Sequence, residues 1–273
     1  RDAFDHDLRY DDGLEILRRL RGVAEARGTT IGAKFTNTLV VANDPAAFPS
    51  QKDPYMYVSG APLHVLSMTL MQQFRTDLAT GPDGFHMPVS FSAGIDSRNV
   101  ASAVACGMVP VTTCTDLLRA GGYGRLPAYL RALHKAMKQC GASHREAYVL
   151  GVHGRGAEAV RATVDDLFGD GACERAGFDA ARLGALDADG LASAVRSLAR
   201  DLGHDPDDLA LRAGRVAGRL NGEHVVPGLV DDPRYGAEKN SRPPKRVDRV
   251  LALYDCINCD LCISACPNDA VFA

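Results

Sequence analysis

The chain has 273 residues, of which 46% are hydrophobic and 24% charged, and its formal net charge is −3. These values are typical of a packed globular protein of one large or two ordinary domains, and they exclude disorder of the whole chain. The near-neutral charge, the absence of tryptophan and the aromatic content of only 6% argue against a nucleic-acid partner. No run of about 18 apolar residues is present that could span a membrane.

The chain opens with RDAFDHDLRYDDG, which has neither an initial methionine nor an apolar signal core. We expect from this opening that the sequence is an internal piece of a longer protein, with any targeting signal outside it. A piece that holds only part of a β-sheet or barrel leaves strand edges uncovered, and for such a piece we expect aggregation or dependence on the missing part.

The first elements in chain order are a helix and two short strands. The spacing of Leu14, Leu17, Leu20 and Ala24 predicts a helix over 12–27 that ends at Gly28. The segment TTIGAKFTNTLVV is rich in strand-forming residues, and YMYV at 55–58 is a short strand candidate.

Two further strand–loop–helix units follow. A helix beginning at Pro62 is expected to bury a stripe of leucines and a phenylalanine: Leu66, Leu70, Phe74 and Leu78. Strands are predicted at 88–92 and 109–113, and helices at 97–106, with Asp96 as its N-cap, and at 127–140. This repeated alternation predicts an α/β fold with a parallel sheet.

From residue 143 onwards the sequence is rich in alanine, arginine and aspartate, and no strand pattern is evident. Two helical faces are predicted, which consist of Leu191, Val195, Leu198 and Leu202, closed by Gly203, and of Leu209, Ala213, Val216 and Leu220, closed by Asn221 and Gly222. We interpret residues 143–222 as a helical connector and residues 223–250, which contain PRYGAEKNSRPPKRVDR, as a loop-like basic tether. The glycines of GVHGRG at 151–156 do not match GxGxxG and predict a turn between helices.

Four cysteines near the carboxyl end have the spacing C-x2-C-x2-C-x3-C-P: Cys256, Cys259, Cys262 and Cys266. This is the bacterial ferredoxin spacing for a [4Fe–4S] cluster, and it predicts a ferredoxin-type module over residues 251–273. Zinc is the alternative, although zinc sites usually pair two separated C-x2-C knuckles. Cys266 either closes this cluster or ligates a second one, since the fourth cysteine does so in two-cluster ferredoxins.

The other cysteines have no ligand spacing, and we expect them to be small buried hydrophobic residues: Cys106, Cys114, Cys140 and Cys173. A reducing, cytoplasmic compartment suits free thiols and an iron–sulfur cluster alike. The histidines form no metal-spaced set, so we expect surface or capping roles for them, His64 and His144 included.

Small residues follow two of the predicted strands, namely Ser92-Ala93-Gly94 and Thr113-Cys114-Thr115. Small residues allow a backbone to approach a ligand closely, and N–H groups at a following helix attract anions. In TIM barrels, the loops after the last two strands form a frequent phosphate site. These loops are therefore candidate phosphate-binding loops, with tight structural turns as the alternative.

Lys34 lies in an otherwise apolar or small strand, and a charged residue in a parallel strand needs a partner. At the carboxyl end of the strand its ammonium group can meet an electron-rich cofactor, with Thr36 and Asn37 as neutral hydrogen-bonding groups at the same mouth. The alternative is an edge-strand lysine that faces water.

The segments AKFTNTL, YMYVSGAPL, VSFSAGIDSRNV, VPVTTCTDLLRAGGYGRLPAYL and LYDCINCDLCISACPNDA together resemble the selenate reductase family of iron–sulfur flavoproteins. That family is related to dihydropyrimidine dehydrogenase and has a dihydroorotate-dehydrogenase-like barrel. The resemblance covers about residues 12–135 and 225–272. It implies that residues 1–142 are the carboxyl-terminal part of a flavin-binding TIM barrel.

The resemblance also implies roles for particular residues. Lys34 matches the lysine that contacts the pyrimidine edge of the flavin, Ser59-Gly60 and Ala93-Gly94 match phosphate-side loops, and Thr113 and Thr115 match the last phosphate loop. Family members continue into a module that binds FAD and NAD(P)H, which is absent from this sequence. One departure is Ala93, where the related dehydrogenases have a first glycine.

The resemblance and the cysteine motif together imply an oxidoreductase segment that passes electrons between a barrel-bound flavin, FMN, and a [4Fe–4S] cluster. A small-molecule substrate, not identified, and a redox partner or adjoining domains would complete the reaction. Two alternatives stay open: an electron carrier or scaffold whose barrel is empty, and a zinc-binding interaction module.

Overall fold

The computed structural model describes residues 7–42, 54–81 and 84–236. The predicted 251–273 module, with Cys256, Cys259, Cys262 and Cys266, lies outside the described residues, as does the predicted tether from residue 237 onwards.

The first part of the described chain is a layer of short strands covered by helices. The helices are α1 (Tyr10–Ala26), α2 (Ala61–Thr80), α3 (Val100–Ala105) and α4 (Leu126–Gln139). The strands are β1 (Ala33–Phe35), β2 (Leu39–Ala42), β3 (Tyr55–Val58) and β4 (Val89–Phe91).

The parallel order expected of βα units is present. Strand β1 pairs in parallel with β4, with Lys34 opposite Ser90, and Val111 extends the ladder by a parallel bridge to Phe91. The strand expected at 109–113 is therefore reduced to a single bridge. Strands β2 and β3, which come between β1 and α2 in the sequence, pair antiparallel with each other. The sequence patterns do not predict this pairing. Within the described residues, the strands do not close into a barrel.

Helix α2 buries a different face from the predicted stripe. Leu66 and Leu70 are 55% and 38% exposed, and only Phe74 and Leu78 of that stripe are buried. The buried face carries Leu63, His64, Ser67, Met68, Met71 and Arg75 as well. Three of these side chains are polar or charged, so apolar spacing alone indicates the wrong side of the helix.

The second part of the described chain is helical, as predicted, and residues 143–236 contain no strand. Its helices are α5 (Arg145–Gly151), α6 (Gly156–Phe168), α7 (Ala172–Arg175), α8 (Ala180–Gly184), α9 (Ala188–Asp201) and α10 (Pro206–Val230). Both predicted apolar faces belong to its core, with Leu202 partly buried. The glycine-rich segment at 151–156 is the turn between α5 and α6, which confirms that interpretation.

Helix α10 continues through the predicted stop at Asn221 and Gly222 to Val230, so residues 223–230 are helical and not loop-like. The Asn221 side chain is fully buried, and its Nδ2 donates to the carbonyl oxygens of Ala105 at 2.7 Å and Val149 at 2.8 Å. A Cβ atom on Gly222 would overlap the Gln72 side chain of α2. These residues permit close contact between α10 and the strand-bearing part, and they do not end the helix.

We expect Asn221→Ala to lower the free energy of unfolding by about 2 to 4 kcal/mol, because two buried hydrogen bonds are lost and a small cavity is left. Denaturant unfolding monitored by circular dichroism measures the change. The matched control is Gly214→Ala in the same helix, where a Cβ meets nothing within 4 Å. Alanine is the better helix former, so this control should be neutral or slightly stabilising, and equal losses in both variants would contradict the assigned role of Asn221.

Cys106 and Cys173 are buried as expected, but Cys114 is exposed and Cys140 half-buried, because they lie in a loop and at a helix end. None of the helices in the described ranges combines the length and the apolar character that a bilayer span requires.

Candidate functional site

Lys34 lies on the face of β1 that points away from the helices. Its neighbour Phe35 packs against Phe74 of α2, with ring centroids 5.0 Å apart. Because side chains alternate along a strand, Lys34 and its register partner Ser90 share the opposite face. Lys34 is exposed there, one residue before the carboxyl end of its strand.

The segments that follow β3, β4 and the bridge residue Val111 meet one another. A Cβ atom on Gly94 would overlap the carbonyl oxygen of Gly60, and a Cβ on Gly60 would lie 2.9 Å from Thr115 Cγ2. Both glycines have a positive φ, +58° for Gly94 and +73° for Gly60. Thr115 Oγ1 lies 3.5 Å from Ser59 Oγ, at the limit for a hydrogen bond. The structure thus brings together Ser59, Gly60, Ala93, Gly94 and Thr115.

Two buried side chains fix the direction of the Ala93-Gly94 backbone. Asn99 Nδ2 donates to the carbonyl oxygen of Gly94 at 2.9 Å, and His64 Nδ1 lies 2.7 Å from that of Ala93. Burial lowers the pKa of His64, so its ring is neutral and carries its proton on Nδ1, where it donates to this carbonyl.

Two amide groups of this turn have no hydrogen-bond partner among the described residues. In a trans peptide the N–H points opposite to the C=O, so the amides of Gly94 and Ile95 point away from His64 and Asn99. Neither amide nitrogen donates a hydrogen bond to any described residue, although Ile95 is only 3% exposed. A buried donor without a partner costs free energy unless a ligand or water satisfies it, and a phosphate oxygen fits such a pair of donors.

Other predicted site residues are occupied by contacts within the protein. Thr113 Oγ1 donates to the carbonyl oxygen of Ile95 at 3.0 Å and lies 3.2 Å from Tyr129 Oη. Thr36 Oγ1 lies 2.6 Å from Ser67 Oγ of α2. These two hydroxyl groups therefore hold loops in place, whereas Asn37 is exposed.

The turn after Thr115 is held by a charged group that the sequence did not reveal. Arg125 binds both carboxylate oxygens of Asp116, at 2.9 and 2.8 Å, and Tyr129 Oη donates to Asp116 Oδ2 at 2.7 Å. Burial by itself would raise the pKa of Asp116, but the hydrogen bonds from Arg125 and Tyr129 outweigh it and lower that pKa. Burial and the neighbouring carboxylate raise the pKa of Tyr129 to about 12. Asp116 therefore stays ionised and Tyr129 stays protonated across the neutral range.

Of the two histidines for which a surface or capping role was expected, one has such a role and the other is buried. His144 caps α5, accepting from Ala147 N at 3.0 Å, as predicted. The surface or capping role expected of His64 is wrong, because its side chain is 1% exposed and lies inside the contact between α2 and the β4–α3 loop. A polar residue on the buried face of a helix cannot be recognised by apolar spacing.

The predicted start of α3 is also wrong. The helix begins at Val100, so the residue that precedes it is Asn99 and not Asp96.

A cleft of about 670 Å³ lies at the other end of the strands. Its walls include Ile31, His86, Asp166 and Arg215. None of the site residues expected from the sequence lines it, and we therefore place the candidate site at the loop edge.

We expect Gly94→Ala to destabilise the protein by about 2 kcal/mol or more, because strain at positive φ adds to the overlap with the Gly60 carbonyl. The control is Gly141→Ala, which shares a positive φ of +72° but whose Cβ would meet nothing within 4 Å. The Gly141→Ala variant should lose only about 1 kcal/mol in the free energy of unfolding, which is the cost of backbone strain alone. Thermal unfolding measures both, and equal losses would show that crowding between the loops is unimportant.

Comparisons with known proteins give two family matches. The family described as "Oxidoreductase YgfK, N-terminal TIM-barrel domain" matches residues 1–162, and the family "4Fe-4S binding domain" matches residues 253–272. The first match extends past the predicted boundary at residue 142 into α6. The second includes Cys256, Cys259, Cys262 and Cys266.

Among curated proteins, the chain is similar to "Putative oxidoreductase YgfK" of Escherichia coli strain K12 and of Escherichia coli O157:H7. Each is 37% identical over 132 residues, which is 48% of this chain and 12% of the relative. The chain therefore spans only a small part of the length of these relatives. No solved structure matches the chain.

Proposed function

Because the chain belongs to the family of YgfK oxidoreductase N-terminal TIM-barrel domains and also carries a 4Fe-4S binding motif, we propose that it passes electrons between a barrel-bound flavin and an iron–sulfur cluster. The barrel would be of the dihydroorotate dehydrogenase type, as the likeness to selenate reductase and dihydropyrimidine dehydrogenase proteins suggests. In this proposal, residues 1–142 would be the barrel segment, followed by the helical connector and then by the cluster module at 251–273. The enzyme as a whole would be an iron–sulfur flavoprotein.

The pair of unpartnered amides at Gly94 and Ile95 is the observation that carries the flavin proposal. They lie in a loop that contacts Gly60 and follows a strand paired with β1, which bears Lys34. A phosphate at one end and an electron-rich ring at the other are the two features of FMN that such an edge would recognise. The residues present therefore fit the group.

The chain's own residues would bind and orient the cofactor. The amides of Gly94 and Ile95 would hold the phosphate, and His64 and Asn99 would keep those amides pointed outward. Lys34 would place its positive charge beside the pyrimidine edge of the ring, where negative charge collects on reduction. When bound, FMN supplies hydride or electron-pair transfer, which amino acid side chains do not perform.

Four thiolates would hold the iron–sulfur cluster, those of Cys256, Cys259, Cys262 and Cys266. The match of residues 253–272 to a 4Fe-4S binding domain supports this cluster, which transfers single electrons. FAD and NAD(P)H would take part only through a module outside this sequence. The substrate and the redox partner would likewise depend on parts of the protein outside this sequence.

The visible spectrum of the anaerobically purified protein tests this proposal. Resolved flavin bands together with a broad cluster shoulder are the expected result, and acid extraction should release FMN. A titration of apoprotein with FMN, followed by flavin fluorescence, then measures affinity. A cluster spectrum without any flavin, even after FMN is added, would contradict the proposal.

The rival function is an electron carrier or scaffold with an empty barrel. The close contact between Gly60 and Gly94 favours it, because loop packing alone accounts for both glycines. Ala93 in place of glycine also agrees with it. The FMN titration distinguishes the two functions, because an empty barrel binds no FMN. Iron and zinc analysis tests the alternative that the cysteines bind zinc.

A further inference from the structure

The segment that follows α10 turns back onto the candidate site. The Tyr235 ring stacks on His64, with ring centroids 5.3 Å apart and an interplanar angle of 25°. Asn99 Nδ2 donates to Tyr235 Oη at 3.1 Å. Tyr235 is thus in contact with the two residues that hold the carbonyl groups of Ala93 and Gly94.

These contacts join parts of the chain that are far apart in sequence. His64 belongs to α2, Asn99 precedes α3, and Tyr235 is the penultimate described residue on the way to the cysteine motif. The His64 ring is held on two sides, by Phe91 edge-on at 5.7 Å and by Tyr235 in a stack. Phe91 belongs to the sheet, whereas Tyr235 belongs to the segment after α10.

We propose that Tyr235 is a positioning residue that clamps His64 and Asn99, so that the segment leading to the cluster motif holds the Gly94–Ile95 amides in their anion-binding direction. The identity of the anion, the phosphate of FMN, rests on the proposed function. The clamp itself rests on contacts within the described chain. It makes the shape of the phosphate loop depend on how the segment after α10 is seated.

The clamp has two separable parts. The aromatic ring keeps water away from His64, which lets the neutral imidazole hold the Ala93 carbonyl. The hydroxyl group accepts from Asn99, which orients the amide that holds the Gly94 carbonyl. Tyr235→Phe removes only the second part, and Tyr235→Ala removes both.

Two measurements test the clamp on the full chain. Hydrogen–deuterium exchange of peptides covering residues 93–99, without added flavin, reports loop order. Fluorescence titration with FMN reports affinity. We expect Tyr235→Ala to speed exchange and to weaken FMN binding, each by roughly five- to tenfold, as the loss of one hydrogen bond and one ring contact predicts. Tyr235→Phe should give a smaller change in the same direction.

The control is Tyr123→Ala, which removes a tyrosine that is 80% exposed in the short 3-10 helix before α4. It should change neither measurement, and all three variants should melt within a few degrees of the parent. Unchanged exchange over residues 93–99 in Tyr235→Ala would overturn the clamp. Faster exchange with unchanged FMN affinity would overturn its link to the anion site. A parent protein that binds no FMN would contradict the proposed function, whereas the exchange result would still decide whether the clamp exists.

Discussion

Replacing Cys259 by serine is expected to abolish the broad iron–sulfur absorption and to leave any flavin spectrum in place. Cys259 is the second cysteine of the C-x2-C-x2-C-x3-C-P motif. A [4Fe–4S] cluster needs four thiolate ligands, and an alkoxide from serine is a poor substitute. Iron content should therefore fall to near background after anaerobic reconstitution.

The matched control is Cys140→Ser, because Cys140 is a free thiol at the end of α4, outside the motif. Its Sγ donates to the carbonyl oxygen of Met137 at 3.3 Å, a bond that a serine hydroxyl can keep. Electron paramagnetic resonance after dithionite reduction distinguishes the two variants. A cluster signal of full intensity in Cys259→Ser would contradict the ligand assignment.

Replacing Lys34 by methionine is expected to weaken FMN binding about ten- to a hundredfold, the range for one lost hydrogen bond to a charged group. The flavin potential should also become more negative, because a positive charge beside the pyrimidine edge stabilises the reduced, anionic ring. Methionine keeps the length of the side chain, so that mainly the charge is removed. Fluorescence titration and a spectroelectrochemical titration measure the two quantities.

Lys135→Met provides the comparison, because Lys135 is an exposed lysine of α4 outside the candidate site. It changes the net charge by the same amount and should leave affinity and potential close to those of the parent. If the two variants behave alike, Lys34 faces water without a role in the site.

Local patterns predicted much of this protein. The strand at residues 55–58, the helices near 62–78 and 127–140, and the helical character after residue 143 are present in the structure. Each depends on neighbours within a few residues, namely apolar spacing, strand-forming side chains, glycine and proline. The cysteine spacing belongs to the same class, since all four cysteines of the motif lie within eleven residues.

The wrong predictions, namely the buried face of α2 and the end of α10, concern residues whose partners are distant in the sequence. The buried face of α2 includes His64 and Arg75, and Arg75 donates to the carbonyl oxygen of Cys106, a residue of another helix end. A charged side chain is buried only where such a partner exists, and nothing near position 75 in the sequence reveals it. The predicted end of α10 is wrong for the same reason, because Asn221 Nδ2 donates to carbonyl groups of α3 and α5, which are distant in the sequence.

The sequence by itself determined the βα order, the helical second part and the cysteine motif, because these follow from short-range spacing. Only the tertiary structure decided which residues hold the candidate site. His64, Asn99 and Tyr235 meet there although 35 or more positions separate each from the next, and Thr113 and Thr36 bond to the protein and not outward. The physical reason is that a buried polar group takes its role from its hydrogen-bond partner, and chain folding alone chooses that partner.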